Sequence, residues 1–163
     1  MISIVAGILA LNMGAHSSDT INDPAFQKMA GMVGGVWVGN LGKMTLKFTY
    51  ELTEGGKMLE GHGRLTKDGK QVLAMNSKFG WDPVVKKTYY IDFHGHDTVY
   101  SGHIELKNDK FVLDFVGLVG DMGHWISYST MPTKDRYESE TYQFKGKKLV
   151  PIHLDIKLHR EPN

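Results

Sequence analysis

The sequence predicts an all-β protein: a closed antiparallel up-and-down barrel of eight to ten strands, with a short N-terminal helix capping it. Three observations carry this expectation. Ten strand-like segments follow one another between Val36 and Arg160. Inside the clearest of them apolar and polar residues alternate, which is the period of a half-buried strand. Turn-forming residues separate the segments at a spacing of about 13 residues, which leaves no room for helical crossovers. An open sheet of ten strands would expose two unpaired edges, and closure removes both.

Taken in order, Asn22-Asp23-Pro24 reads as a helix start, a capping side chain followed by proline at the first helical position. Ala25 to Val33 follows as a short helix with Phe26, Met29, Ala30 and Val33 on one face, and Gly34-Gly35 ends it. Gly35-Val36-Trp37 opens the first strand. In the second, Met44, Leu46, Phe48, Tyr50 and Leu52 alternate with Lys43, Thr45, Lys47, Thr49 and Glu51. The next seven are Lys57–Thr66, Gln71–Trp81, Thr88–His94, Thr98–Lys107, Lys110–Val119, His124–Met131 and Arg136–Phe144. Glu54-Gly55-Gly56, Lys67-Asp68-Gly69, Asp82-Pro83, Asn108-Asp109, Gly120-Asp121 and Lys145-Gly146 supply the turns. In the last strand Ile152, Leu154, Ile156 and Leu158 alternate with His153, Asp155, Lys157 and His159, and Pro151 stands at its start.

The bulk numbers fit one soluble-type domain. The chain has 163 residues, 41% apolar and 23% charged, so it can bury a core and is not disordered. Its net charge of +1 comes from interspersed residues, which excludes a nucleic-acid partner built on a basic stripe. With no cysteine there is no disulfide, thiolate or cysteine–zinc chemistry. Residues 1–17 contain no Lys, Arg, Asp or Glu. Ile2 to Leu11 is almost wholly apolar, and Ala15-His16-Ser17 resembles a small-x-small cleavage site. The run is too short to span a membrane. We read it as a signal-peptide remnant, with a secreted or periplasmic location, ahead of a single barrel domain over 18–163. The rival reading is an apolar segment packed on the barrel of a cytoplasmic protein.

Three features together resemble the lipocalin-like, or calycin, superfamily: the helix before the barrel, Gly35-x-Trp37 on the first strand, and Arg160 at the end of the last. The resemblance implies that Trp37 closes one barrel end beneath the Arg160 side chain, by cation–π stacking and shielding of apolar surface. Within the superfamily the chain looks most like a family of uncharacterised bacterial single-barrel domains. Gly55-Gly56-Lys57-Met58-Leu59-Glu60-Gly61, Phe79-Gly80-Trp81-Asp82-Pro83, Tyr100-Ser101-Gly102 and Leu158-His159-Arg160 stand in that family's order, with Trp81 where Tyr is usual and His159 where Thr is usual. That family has no settled activity, so the resemblance implies a fold and no mechanism. Barrels like nitrobindin and the fatty-acid-binding proteins are more distant. Nitrobindin holds haem through a histidine. Here the late histidines, His153 and His159, alternate against apolar residues and so point outward, which argues against haem; no cofactor is expected.

Candidate chemistry is sparse. His94-Gly95-His96-Asp97 suggests a weak metal loop, against the simpler reading of solvated turn histidines. Glu60, His62 and Arg64 share a face of one strand, Asp92 and His94 of another, and His103 and Glu105 of a third. An imidazole beside a carboxylate is a general acid–base pair if both enter a dry cavity, which makes His62, His103, Glu60 and Glu105 the catalytic candidates. Strand parity leaves both orientations open, because Leu59, Gly61, Gly63 and Leu65 occupy the other face of Glu60's strand. The expected pocket wall comprises Phe48, Tyr50, Met75, Phe79, Tyr90, Tyr100, Phe115 and Tyr128. The expectation is a module that binds a small, mainly apolar or aromatic molecule inside the barrel. The alternatives are a small enzyme of the cyclase or isomerase type, using an inward His and a carboxylate, and a structural domain with no ligand. No phosphate loop, Gly-x-Ser-x-Gly elbow or His-Glu-x-x-His motif is present.

Overall fold

Asp23 organises the start of the fold. Its carboxylate accepts the Phe26 amide at 3.0 Å and a second, very short bond from the buried Thr88 hydroxyl. One side chain thus caps helix α1 (Pro24–Ala30) and ties it to the barrel. The computed structural model describes residues 21–152 and 154–162, so residues 1–17 and the two readings made of them lie outside the described residues. The helix stops at Ala30, not Val33. The chain there tightens into i→i+3 bonds, Met32 to Met29 and Val33 to Ala30. That tighter turn brings Met32 into the core with Ala25, Phe26 and Met29, while Ala30 and Val33 are only half-buried.

Eleven strands follow: β1 (Val36–Leu41), β2 (Met44–Thr53), β3 (Met58–Lys67), β4 (Lys70–Asp82), β5 (Lys87–His94), β6 (Thr98–Lys107), β7 (Lys110–Val119), β8 (His124–Thr133), β9 (Arg136–Lys145), β10 (Lys148–Pro151) and β11 (Ile156–Glu161). Chain neighbours are sheet neighbours from β1 to β9, and β11 closes the ring between β9 and β1. The result is a closed antiparallel barrel of ten strands. β10 lies against the part of β9 that β11 leaves free.

The expected last strand, from Ile152, is thereby corrected. Pro151 ends β10, the Ile152 amide still reaches the Thr141 carbonyl at 3.2 Å, and Ile152, Leu154 and Asp155 lie outside any strand before β11 begins at Ile156. β11 is an interior strand with a partner on each side. Proline has no N–H to give such a ladder, so the interior strand starts beyond it.

One barrel end is sealed. Trp37 is fully buried, donates its indole N–H to the Met32 carbonyl at 2.8 Å, and lies 4.6 Å beneath the Arg160 guanidinium. That guanidinium bonds the carbonyls of Gly31, Lys134 and Val33 at 2.6, 2.9 and 3.3 Å. Gly35 (φ +73°) passes so close that a Cβ there would stand 2.5 Å from the Glu161 carbonyl oxygen. Phe26, Met29, Leu59, Phe79, Ile104, Phe111 and Leu158 complete the packing. Lys28 ties α1 to the β6–β7 turn through Asp109, its ammonium 5.6 Å from the Phe111 ring.

Candidate functional site: a cavity with a polar centre

Above the sealed end the interior is not filled. A cavity of about 430 Å³ runs from Met29 and Met32 to an opening beside the exposed Asp121 and Ile152. The way the interior is shaped explains both the space and its polarity. On β3 the inward positions include Gly61 and Gly63, and the rings of Tyr50 and Phe48 from β2 lie over them. A Cβ on Gly61 would stand 2.8 Å from the Tyr50 ring, and one on Gly63 would stand 2.4 Å from Phe48. The two rings stack at 5.8 Å. The register then runs Tyr50, Gly61, Ser77, Asp92, Tyr100 across five adjacent strands, so Tyr50 reaches over β3 toward Ser77 and Asp92.

Asp92 is the centre of this row. It is only 5% exposed, and it accepts three bonds: Ser77 Oγ at 2.9 Å, Tyr90 Oη at 2.7 Å and His94 Nε2 at 2.7 Å. A buried carboxylate is tolerated when donors surround it in this way. Across the cavity, β8 and β9 present a second polar set. Ser127 pairs with Thr141 at 2.6 Å, and Tyr137 donates to Ser129, which donates to Ser139, each at 2.9 Å. Tyr50, Tyr90 and Tyr137 all have hydroxyls held above the ordinary tyrosine value. Burial is the first cause in each; for Tyr90 the Asp92 charge comes next, and for Tyr50 the neighbouring Tyr137 and Asp92 add to it. They remain neutral donors.

Nearer the mouth the wall is aromatic. Tyr100 meets His94, Trp125 and Phe115 edge-on at 5.0, 5.3 and 5.8 Å, and Phe115 stacks on Trp125 at 5.6 Å. Apart from tyrosines, the ionisable residues lining the cavity are Asp92, His94 and Asp121; among the described residues no Lys or Arg lines it.

Of the eight residues expected in the pocket wall, Phe48, Tyr50, Met75, Phe79, Tyr90, Tyr100 and Phe115 line the cavity. Tyr128 does not. It is 36% exposed and meets Tyr142 on the outer face, because Trp125, Ser127 and Ser129 take the inward positions of β8.

The four catalytic candidates are likewise outside the barrel. Glu60 and His62 alternate against inward Gly61 and Gly63. His62 bonds Asn76 at 3.0 Å and approaches Glu51 at 3.4 Å. The Asn76 bond, more than Glu51, holds its imidazole above the ordinary value despite slight desolvation. Glu60 pairs with Lys78 at 3.1 Å. Glu51, Glu60 and His62 bring potential metal-ligand atoms within 4.8 Å of one another, but Lys78 already occupies Glu60. His103 faces Asp82 at 3.1 Å, and that hydrogen bond is the main cause holding Asp82 below its usual range. Glu105 is held down chiefly by Lys107, then by Lys87.

His94 and His96 do not form a metal loop. His94 turns inward to Asp92, while His96 is exposed in the following turn. His159 is exposed beside Glu161, and His153 lies outside the described residues. The pair that does enter the cavity, Asp92 with His94, was visible in the sequence as a shared strand face but carried no sign of its direction.

Among solved structures the chain is similar to the crystal structure of Rv2717c from M. tuberculosis, with a TM-score of 0.56 and 16% identity over 85% of this chain and 98% of that one. At that identity the likeness concerns the fold alone. No protein-family profile and no curated protein sequence matches the chain.

Proposed function

We propose that this protein is a lipocalin-like binding barrel that holds one small, mainly apolar molecule in its interior. The observation that supports the reading is the cavity itself: about 430 Å³, lined by aliphatic and aromatic side chains, with a few converging polar groups at mid-depth. Ligand sites have this size and composition. The fold by analogy assigns no ligand. The test is fluorescence of an environment-sensitive apolar dye. Binding should be saturable, displaceable by small aromatic or alicyclic compounds, and abolished by Met75→Trp, which fills the cavity at mid-depth. Dye binding that survives Met75→Trp unchanged, or that no such compound displaces, would overturn it.

One observation favours a second reading, a small enzyme of the cyclase or isomerase type. His94 donates through Nε2 to Asp92 inside the cavity, which orients the ring and would stabilise an imidazolium after proton abstraction. Its test is exchange of the α-protons of a bound enolisable ketone with deuterated water. Exchange above the uncatalysed rate that disappears in His94→Ala supports it; a rate equal to the uncatalysed one, over a panel of such ketones, sinks it.

A further inference from the structure

The polar groups of the cavity are unevenly signed. Asp92 lies at mid-depth and Asp121 at the mouth, with His94 as the third ionisable group beside the tyrosines. Among the described residues no Lys or Arg lines the cavity, so none of them offers an ammonium or guanidinium to an anionic ligand head there. Both carboxylates act at one place. The Tyr100 hydroxyl is held above its ordinary value by burial first, then by the charges of Asp121 and Asp92. Tyr100 is also the ring against which His94 sits edge-on at 5.0 Å.

The hydrogen-bond arithmetic of His94 adds a second constraint. Its Nε2 is committed to Asp92 at 2.7 Å. In the neutral imidazole the nitrogen opposite a donated N–H carries a lone pair, so Nδ1 is an acceptor. Beside His94 stands the Tyr100 ring at 5.0 Å, with Phe115 in turn 5.8 Å from Tyr100, and aromatic π-electrons attract cations. Asp92 already accepts three bonds and meets the ligand mainly through its field. Desolvated carboxylate charge acts strongly over this range in a low-dielectric interior.

We propose that the molecule held in the barrel is an organic amine: a protonated nitrogen seated between the Asp92–His94 pair and Asp121 beside Tyr100, with an apolar body lying deeper on Phe48 and Met75. This rests on the binding-barrel reading and specifies its ligand class. The ammonium N–H donates to His94 Nδ1, the two carboxylates supply the countercharge, and no covalent step is involved.

The experiment uses three probes with one apolar body, 4-phenylbutylamine, 4-phenylbutanol and 4-phenylbutyrate, displacing the apolar dye at pH 7.5. The amine should displace at a concentration at least tenfold below the alcohol, and the butyrate should be weakest. Asp121→Asn, at an exposed position, should cut the amine's advantage over the alcohol at least threefold. Asp92→Asn should cut it further, with a thermal melt confirming that the variant is folded. The alcohol is the reference in each protein, so the quantity read is the ratio of the two displacement concentrations. Butyrate binding as tightly as the amine, equal displacement by all three probes, or an amine advantage untouched by both substitutions would overturn the amine while leaving the binding barrel standing. Displacement by none of the three would overturn the amine and the binding reading together.

Discussion

The two ends of the barrel use the same strands for opposite purposes. At the sealed end, Trp37, Phe26, Met32 and Leu59 are each at most 2% exposed, and structural bonds tie the polar groups there: Asp23 to α1 and Thr88, Trp37 to Met32, Arg160 to three carbonyls, with Arg160 Nε lacking a hydrogen bond but 3.4 Å from the Asp135 carboxylate. At the open end the rim residues Val116, Leu118, Val119 and Met122 are 40% to 72% exposed, and the side chains below them face empty space. Dense packing and open space are thus separated along the barrel axis. A void forfeits dispersion contacts for its lining. The sealed end, where packing is dense, is where truncation has most to destroy.

Four measurements break or sharpen this contrast. Trp37→Ala should have the largest effect. It removes a fully buried indole and its hydrogen bond, and about 3–5 kcal/mol should be lost in a denaturant titration. A loss under 1 kcal/mol would mean that the seal does not carry the fold.

The polar middle layer comes next, and its test is alkaline. Tyr50, Tyr90 and Tyr137 have raised folded-state values, so the folded chain keeps protons that the unfolded chain releases above pH ~10. Stability is therefore fully present below that pH and falls as pH rises beyond it. The loss is about 1.4 kcal/mol for each pH unit per tyrosine whose folded value stays above the pH reached. Urea titrations at pH 9 and pH 11 should show this, and Tyr50→Phe should lessen the pH dependence. A flat profile would place those hydroxyls in contact with bulk water.

Arg160→Met keeps the apolar stem over Trp37 and removes the donors to the Gly31, Val33 and Lys134 carbonyls. Its expected cost is about 1–3 kcal/mol in thermal or chemical unfolding, well above what an exposed arginine on the outer face would show. Leu73→Ala, at the open end, should cost least, about 1 kcal/mol or less, since its side chain already borders the cavity. The same variant should alter dye affinity, while Arg160→Met should leave it unchanged. Dye affinity that follows Arg160 and ignores Leu73 would reverse the assignment of the two ends.

The candidate site was only partly legible in the sequence, and β5 shows why. Tyr90, Asp92 and His94 alternate with Tyr89, Ile91 and Phe93, so hydropathy favours the second set for the interior. The structure turns the first set inward, because the middle of this barrel is a polar-centred cavity rather than a packed core. β3 was less silent: Leu59 and Leu65 flank the glycines opposite Glu60 and His62 and lean toward the inside, but the two glycines between them carry no side-chain volume to mark that face as the core side. On β8 the small polar residues Ser127 and Ser129 face in and Tyr128 faces out, against the usual weight given to an aromatic.

The Trp37–Arg160 closure came from the family resemblance; what the sequence determined by itself was an antiparallel barrel of eight to ten strands, their order and the start of the capping helix. These rest on local physics: the two-residue period, turn residues whose backbone preferences are their own, and a cap readable from Asp23-Pro24. Only the tertiary structure decided the phase of β3, β5 and β8, the break at Pro151 and the burial of Asp92. Alternation sets a strand's period, but its phase depends on what occupies the space opposite. Here that space is filled by Phe48 and Tyr50 lying across two glycines and by hydroxyls from strands on the far wall, partners separated by tens of residues along the chain.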